Sequence, residues 1–102
     1  MFIILYRWRI KPEKEQQFIE GWSEVTEYFR QNFDSLGSRL HRGSDGFFYG
    51  YAQWKSVEDR EKAFEHAAKL NGSNKMSEAI EQRFEPIILD KLSDYLIFSE
   101  KE

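Results

Sequence analysis

The sequence predicts an α+β domain with a ferredoxin-like antiparallel sheet, in the element order β-α-β-β-α-β. Three observations predict it: an apolar strand at the start, helical spacing of apolar residues directly after it, and two strands joined by a turn of glycine, serine and aspartate. In this arrangement both helical regions cover one face of the sheet. We expect residues 1–102 to form one domain, since the chain is long enough for one core and too short for two.

The first strand covers residues 2–10, which are rich in β-branched and aromatic side chains. Strand alternation places Tyr6 and Trp8 on one face and Ile3 and Leu5 on the other. Both faces are apolar in the first half, and strands of that kind are usually covered on both sides. We therefore expect the sheet face without helices to meet a second sheet in a homodimer.

A long amphipathic helix follows, from Pro12, which suits the first helical position, to about Asn32. Its apolar stripe recurs at the spacing of one helix face and consists of Phe18, Trp22, Val25 and Phe29. Gly21 lies inside this helix at a cost of roughly 1 kcal/mol relative to alanine. The glycine therefore indicates a close packing contact.

A β-hairpin is predicted next, with strands at residues 37–42 and 47–54 and a turn at residues 43–46. Its second strand has five aromatic rings in eight residues. Alternation groups Phe47, Tyr49, Tyr51 and Gln53 on one face, against Phe48, Gly50, Ala52 and Trp54 on the other. The small Gly50 and Ala52 leave room on their own side, although the sequence does not say which rings form core and which line a pocket.

Ser56 with Asp59 three residues later is typical of a helix N-cap. The second helix has a sparse apolar face of Phe64, Ala67, Ala68 and Leu70, so it must pack through small residues. We expect Asn71-Gly72 to end it. A further helical piece from about Met76 to Phe84 precedes a last strand, which opens at Ile87-Ile88-Leu89 and is expected to continue to Phe98.

The composition disfavours several classes of function. Fifteen basic and eighteen acidic residues give a net charge of −3, which offers nucleic acid little attraction. There is no cysteine, and His41 and His66 lie on different elements without metal-ligand spacing, so we expect no metal site. The short apolar start, interrupted by Arg7 and Arg9, favours a cytoplasmic protein without membrane attachment.

RNA recognition is the alternative that the topology itself raises. The run Tyr49-Gly50-Tyr51-Ala52-Gln53-Trp54 approximates the second part of the aromatic third-strand motif of RNA-recognition domains. The basic residue and glycine that open this motif are replaced by Phe47-Phe48. RNA binding is therefore disfavoured, because phosphate contacts supply most of the affinity of such interfaces.

Three segments together resemble the antibiotic biosynthesis monooxygenase family: Tyr-Arg-Trp-Arg-Ile-Lys-Pro at residues 6–12, Ser-Leu-Gly-Ser-Arg-Leu-His-Arg at 35–42 and Tyr-Ala-Gln-Trp-Lys-Ser at 51–56. The resemblance extends over roughly residues 2–98. It implies a dimeric α+β barrel, in which two ferredoxin-like protomers close their sheets on each other, with a pocket between sheet and helices in each. It also implies oxidation of a small aromatic, phenol-type or quinol-type ligand by dioxygen, with neither metal nor flavin and no other cofactor.

Some members of the family degrade haem. By alignment, the asparagine, tryptophan and histidine that this branch uses are replaced here by Tyr6, Ala63 and Ser73. None of the three matches, so haem degradation is disfavoured.

A cofactor-free oxygenase needs apolar walls and a few donors or cations that stabilise a substrate anion. We expect His41 to act as base or as hydrogen-bond partner of the phenol, and Arg39 as anion stabiliser. The expected walls, converging on the same cavity, are Tyr6, Trp8, Trp22, Tyr49 and Tyr51. Alternatively, Trp22 is ordinary core, and Arg39 with His41 forms an ion network at a dimer interface. The alternative function is a dimer that binds a small ligand without turnover, since fold does not fix function.

Overall fold

The computed structural model describes residues 1–97 and confirms the α+β, ferredoxin-like class. A five-stranded antiparallel sheet carries three α-helices, and a short 3-10 turn at Pro12–Lys14 leads into the first of them. The elements are β1 (Phe2–Ile10), α1 (Glu15–Asn32), β2 (Ser35–Arg42), β3 (Phe48–Trp54), α2 (Val57–Ala67), α3 (Asn71–Ala79), β4 (Ile80–Arg83) and β5 (Ile87–Leu89).

The strand order is β2-β3-β1-β4, and β5 pairs with β1 on the same side as β4. The two central strands, β1 and β3, are the neighbours that a ferredoxin-like sheet requires. The last strand position is divided: β4 pairs with Trp8 to Ile10, whereas β5 pairs with Ile3 to Leu5. Pro86 lies in the interruption, and a proline has no N–H to donate to a strand ladder.

The helices cover one face of the sheet, which we call the inner face. There the α1 stripe packs as predicted, with Phe18 fully buried at 5.0 Å from the Trp8 ring and 5.7 Å from the Phe48 ring, between ring centroids. Two buried clusters result, one centred on Phe18 and the other on Trp54. α2 packs through two small buried side chains, Ala63 and Ala67, as the expected packing through small residues requires. The face predicted for it is only partly right, because Phe64 and Ala68 are exposed and the prediction does not include Ala63.

Gly21 makes the close contact that its place inside α1 indicates. A Cβ atom there would lie 2.6 Å from the backbone oxygen of Gly72 in α3, and one on Gly72 would lie 2.8 Å from the oxygen of Gly21. Both distances are far below van der Waals contact, and both partners are backbone atoms. α1 and α3 therefore cross at a point where only glycine fits on either helix.

The opposite side of the sheet, which we call the outer face, has no helix over it among residues 1–97. It combines the odd-numbered residues of β1 and β3, and those of β2 from Gly37 onwards, with Ile87 and Leu89 of β5. Arg7 lies on this face with its guanidinium 5.0 Å from the Phe47 ring and 4.0 Å from the Phe84 ring.

Three expectations for the second half of the chain are wrong. Asn71-Gly72 begins α3 rather than ending α2, which already ends at Ala67; the Ser73 hydroxyl donates to the Ala67 carbonyl at 2.6 Å and links the two helices. The last helix ends at Ala79, and Phe84 follows a strand, because Ile80 to Arg83 find a partner in β1. Within residues 90–97 the last strand does not continue, and Phe98 lies outside the described residues.

Beyond β5 the chain leaves the sheet as a segment of residues 90–97, which we call the arm. It contains neither helix nor strand, and four of its large apolar side chains are 90 to 93% exposed: Leu92, Tyr95, Leu96 and Ile97. The three helices of residues 1–97 are each too short or too polar to cross a membrane.

Candidate functional site

A cavity of about 270 Å³ lies between the inner face of the sheet and the helices. With roughly 30 Å³ for each liquid water molecule, it has room for a ligand of one or two rings. Its lining residues come from four strands and three helices, together with Ala68 just after α2. They are Tyr6, Trp8, Trp22, Val25, Thr26, Phe29, Ser38, Gly50, Ala52, Trp54, Phe64, Ala67, Ala68, Ser73, Met76, Ser77 and Arg83.

The floor of the cavity is open because β3 places small residues there. Gly50 and Ala52 both line it, which confirms the room that strand alternation predicts on their side. A Cβ atom on Gly50 would lie 2.9 Å from the Trp8 ring. Glycine at this position thus allows the indole of Trp8 to lie flat against the neighbouring strand.

Aromatic rings form the walls. The Tyr6 and Trp8 rings stack in parallel at 5.5 Å, and Phe29 contacts Trp54 edge-on at 5.2 Å while stacking with Phe64 at 5.4 Å. The three tryptophans of the sequence, Trp8, Trp22 and Trp54, all line the cavity. Trp22 is half-buried and packs against the Phe18 cluster, so it serves both core and cavity wall.

One side of the cavity is polar. The Tyr6 hydroxyl accepts a hydrogen bond from Arg60 Nε at 2.8 Å, and this leaves the phenolic proton free to donate to a ligand. Arg60, in turn, lies over the Phe64 ring at 4.2 Å. Burial raises the pKa of Tyr6, while the charge and hydrogen bond of Arg60 lower it in part. Tyr6 therefore stays protonated near neutral pH and acts as a donor.

Within the described residues 1–97, Arg83 is the one charged side chain that lines the cavity. β4 positions it, because Arg83 pairs with Trp8 in the strand register and so shares the inner face. Its guanidinium lies 3.4 Å from the Ser77 hydroxyl, and the side chain is otherwise exposed at the mouth. The described lining residues include neither a carboxylate nor a histidine, so they offer a cation and donors but no conventional base. Within residues 1–97 no group of three or more metal-binding side chains occurs.

The structure divides the predicted site residues between two faces. Tyr6, Trp8 and Trp22 line the cavity together, as expected. The expectation that the others converge on the same cavity is wrong, for a reason of register. Arg39 pairs with Tyr51 and His41 with Tyr49, and all four belong to the outer face.

Arg39 and His41 are both exposed, and they border a separate open groove between α1 and β2. This groove measures about 480 Å³ and includes Trp22 and Phe48. Tyr49 donates a hydrogen bond to Asp45 at 2.5 Å, which raises the pKa of Tyr49 and lowers that of Asp45. Neither Arg39 nor His41 lines the cavity, although the groove that they border shares Trp22 and Ser38 with it. Their expected catalytic roles stay predictions.

Two site residues escape the sequence analysis. Arg83 falls in a segment predicted as helix, and only its strand pairing with Trp8 shows that it faces the cavity. Arg60 lies four residues after the N-cap Ser56, which accepts a hydrogen bond from the Asp59 N–H at 3.2 Å. That cap fixes the start of α2 and thereby directs Arg60 towards Tyr6.

Replacing Arg60 by leucine should move the ionisation of Tyr6 to higher pH. The cation that lowers the pKa of Tyr6 is removed, and burial, which raises it, remains. An alkaline titration followed by tyrosinate absorbance measures the pKa of Tyr6. The Tyr6→Phe variant identifies the contribution of Tyr6 to the absorbance. Arg30→Leu, an exposed change on α1, is the matched control. An unchanged Tyr6 transition would contradict the assigned contact.

The same pKa gives stability a definite pH dependence. A tyrosine of the unfolded chain ionises near 10.0, whereas folded Tyr6 keeps its proton to higher pH. The folded state therefore binds more protons in the window above 10.0, and the free energy of unfolding falls as pH rises through it.

Comparison with solved structures shows the same fold class. The chain has the fold of the antibiotic biosynthesis monooxygenases. It is similar to a protein from Nitrosomonas europaea that is named provisionally as a member of that family, with a TM-score of 0.75 and 17% sequence identity. The match covers 91% of this chain and 100% of that one. At this identity the similarity establishes the fold alone.

Two further structures agree. SnoaB, a cofactor-independent oxygenase from Streptomyces nogalater, has a TM-score of 0.76 at 11% identity, over 92% of this chain and 95% of its own. Rv0793 from Mycobacterium tuberculosis has a TM-score of 0.74 at 12% identity, over 93% and 98%. No protein-family profile matches the sequence. No curated protein matches it in sequence either.

Proposed function

We propose that this protein is a cofactor-independent monooxygenase that oxidises a small phenol-type or quinol-type molecule in the inner cavity. One observation carries the proposal: an aromatic-walled cavity whose single charged lining side chain is a cation, Arg83. The shared fold with SnoaB, itself a cofactor-independent oxygenase, is consistent with it.

The chemistry requires a substrate anion, because dioxygen accepts electrons readily from a phenolate and poorly from a neutral phenol. A fixed cation and hydrogen-bond donors beside an apolar wall stabilise such an anion more strongly than water does. Arg83 supplies the cation, and the Tyr6 hydroxyl, held by Arg60, supplies a donor. The flat stack of Tyr6 and Trp8 offers a planar surface for the ring.

The lining residues within 1–97 include neither a carboxylate nor a histidine, and we infer the class of substrate from the groups that are present. Without such a base, the substrate must lose its proton to water. Quinols and phenols that carry a conjugated carbonyl are acidic enough to lose a proton to water. Arg83 lowers their pKa further in the bound state.

The reaction balances without an external reductant. A quinol and one dioxygen give a hydroxyquinone and one water: one oxygen atom forms the new carbon–oxygen bond, and the other leaves as water with two hydrogens of the quinol. The quinol supplies all four electrons that dioxygen accepts. Oxygen uptake should therefore equal the amount of hydroxyquinone formed.

The test combines oxygen uptake with binding, using a panel of quinols and acidic phenols. Binding is followed by quenching of tryptophan fluorescence, because all three tryptophans line the cavity. Quenching together with equal oxygen uptake and product formation supports the monooxygenase. Quenching without oxygen uptake would favour the alternative, a ligand-binding protein without turnover, and the lack of both across the panel would contradict either function.

We also infer that two copies associate, since the outer face carries apolar side chains such as Leu5, Ile87 and Leu89 beside its cations. Light scattering should then give twice the chain mass of 12.3 kDa. A mass of one chain at micromolar concentration would contradict this.

A further inference from the structure

We propose that Asn71 is a site of spontaneous isoaspartate formation, and that the side chain of Glu24 on α1 keeps this site closed in the folded protein. Three observations support the proposal: the dipeptide Asn71-Gly72 itself, the helix crossing that requires its glycine, and the hydrogen bond between Glu24 and Gly72. The proposal concerns a covalent modification of the chain and does not depend on the function proposed for the cavity.

The reaction needs only an asparagine that is followed by an unhindered residue. The backbone nitrogen of the following residue attacks the side-chain carbon Cγ of the asparagine, so that a new C–N bond forms, the bond from Cγ to the amide nitrogen breaks, and ammonia leaves. Water then opens the cyclic imide and gives aspartate or isoaspartate, without any change of oxidation state. Glycine permits this attack best, because it has no Cβ atom to crowd the nitrogen.

Helix packing requires the glycine of this dipeptide. Gly72 is buried in α3 where that helix crosses α1. A Cβ atom on Gly72 would lie 2.8 Å from the backbone oxygen of Gly21 and 3.1 Å from the Cβ atom of Glu24. A larger residue would therefore push the two helices apart. Asn71, by contrast, is exposed, so the fold retains a reactive pair at the start of α3.

Glu24 holds the nitrogen that would attack. α3 begins without a cap of its own, since its N-cap residue is Leu70, and this side chain has no acceptor. Glu24 supplies one from α1, because its Oε2 accepts a hydrogen bond from the Gly72 N–H at 3.1 Å. An ordinary N-cap side chain accepts from the same position, the second residue of the helix. A carboxylate at this end also suits the helix dipole.

The hydrogen bond to Glu24 should oppose the reaction in two ways. The backbone nitrogen must lose its proton before it attacks, and a neighbouring carboxylate that accepts this proton in a hydrogen bond disfavours the resulting anion. The nitrogen must also approach the side chain of Asn71, whereas the helical backbone and the hydrogen bond direct its N–H towards α1. The reaction therefore has to wait until the first turn of α3 opens.

A second contact keeps the remainder of α3 in place. Gln17, one turn before Gly21 on α1, donates from Nε2 to the carbonyl oxygen of Lys75 at 3.0 Å. Gln17, Gly21 and Glu24 recur at the spacing of one helix face. α1 thus uses this face for α3 and its apolar stripe for the sheet. Loss of Glu24 alone should open the first turn of α3 without releasing the whole helix.

Conversion of Asn71 to isoaspartate would alter the wall of the cavity. Isoaspartate adds a methylene group to the backbone, here at the first residue of α3. Three later residues of this helix line the cavity: Ser73, Met76 and Ser77. A longer backbone directly before them should displace this part of the wall, because the contact between the two glycines leaves no room for adjustment.

The first test compares Glu24→Ala with the unchanged protein during incubation in warm neutral buffer. Peptide mass spectrometry detects the replacement of the Asn71 amide by an acid, and an isoaspartate methyltransferase quantifies the isoaspartate. We expect Glu24→Ala to react about fivefold faster or more, since loss of a helix cap changes the opening of the first turn by about this factor. Glu20→Ala, an exposed position one turn earlier on α1, is the matched control and should react like the unchanged protein. Circular dichroism checks that both variants are folded.

The chain contains its own reference sites. Asn32 and Asn74 are also exposed, but a large residue follows each of them, so both should remain largely unmodified in the same samples. Adding Asn71→Ser to the Glu24→Ala variant should abolish the isoaspartate signal, which would locate that signal at Asn71.

A further measurement does not depend on how well a variant folds. The unchanged protein is incubated once in native buffer and once in urea, where the hydrogen bond from Gly72 to Glu24 is lost. Asn71 should convert at least about tenfold faster in urea, because the reaction no longer waits for a local opening. Equal rates in Glu24→Ala and the unchanged protein, equal rates in the folded and the unfolded chain, or conversion at Asn32 or Asn74 in place of Asn71 would each overturn the proposal.

Discussion

Replacing Arg83 by glutamine should reduce quinol oxidation by about a hundredfold or more, the usual effect of losing a preorganised group that stabilises an anion. Among residues 1–97, Arg83 is the only charged residue of the cavity lining, and glutamine retains an N–H donor, on a shorter side chain, without the charge. The loss should grow as the substrate becomes less acidic, because a weaker acid depends more on the cation for its ionisation. Oxygen uptake and fluorescence quenching, measured across substrates of different pKa, check both statements.

Two further variants give this prediction its controls. Arg30→Gln, an exposed change on α1 remote from the cavity, should leave uptake unchanged. Arg39→Gln distinguishes the site derived from the sequence from the site seen in the structure, since Arg39 belongs to the outer face. A large loss of oxygen uptake in Arg39→Gln, with little change in Arg83→Gln, would refute the proposal that Arg83 is the cation that stabilises the substrate anion.

Replacing Phe18 by alanine should lower the free energy of unfolding by about 3–5 kcal/mol, the usual cost of emptying an aromatic core position. Phe18 has no exposed surface and makes edge contacts with two other buried rings, Trp8 and Phe48. Alanine would leave a cavity that these rings cannot collapse to fill, because the β1–β3 ladder fixes both. The loss is a large part of the roughly 5–15 kcal/mol that stabilises a typical domain.

Urea unfolding, followed by circular dichroism, measures this change. Val57→Ala serves as its control, since Val57 is 37% exposed at the start of α2 and should change stability little. A loss below about 1 kcal/mol for Phe18→Ala would show that the site refills and that Phe18 is not the centre of the core.

The first half of the fold follows from patterns that are strong and local. The α1 stripe, the Ser56 cap and the alternation along β3 each depend on neighbours within a few residues, and the structure agrees with all three. The prediction for the second half of the fold fails at residues where tertiary pairing overrides local propensity. Residues 80–83 continue a helical pattern, yet β1 offers them a strand partner, and the pairing decides their conformation.

The candidate site is predicted in part for the same reason. Tyr6 and Trp8 follow from simple alternation along one strand, and their shared face is the one that the helices cover. Arg39 and His41 also share a face, but alternation within β2 does not reveal which side of the sheet that face is on. The pairing of Gly37 with Gln53, past a register shift near Ser35, settles it. Gly37 has a φ of 114° at that shift, and a glycine inside a strand indicates a bulge without giving its register.

The division of the last strand has a mechanical consequence, because β1 both holds β5 and forms a wall of the cavity. Its residues Ile3 to Leu5 hold β5, from which the arm departs, and Tyr6 and Trp8, immediately beyond them, form the wall of the cavity. A displacement of β5 therefore acts on the same strand, one residue away from the Tyr6 hydroxyl that would contact the ligand. If assembly alters ligand affinity through β1, ligand must alter assembly by the same factor, because such linkage is reciprocal.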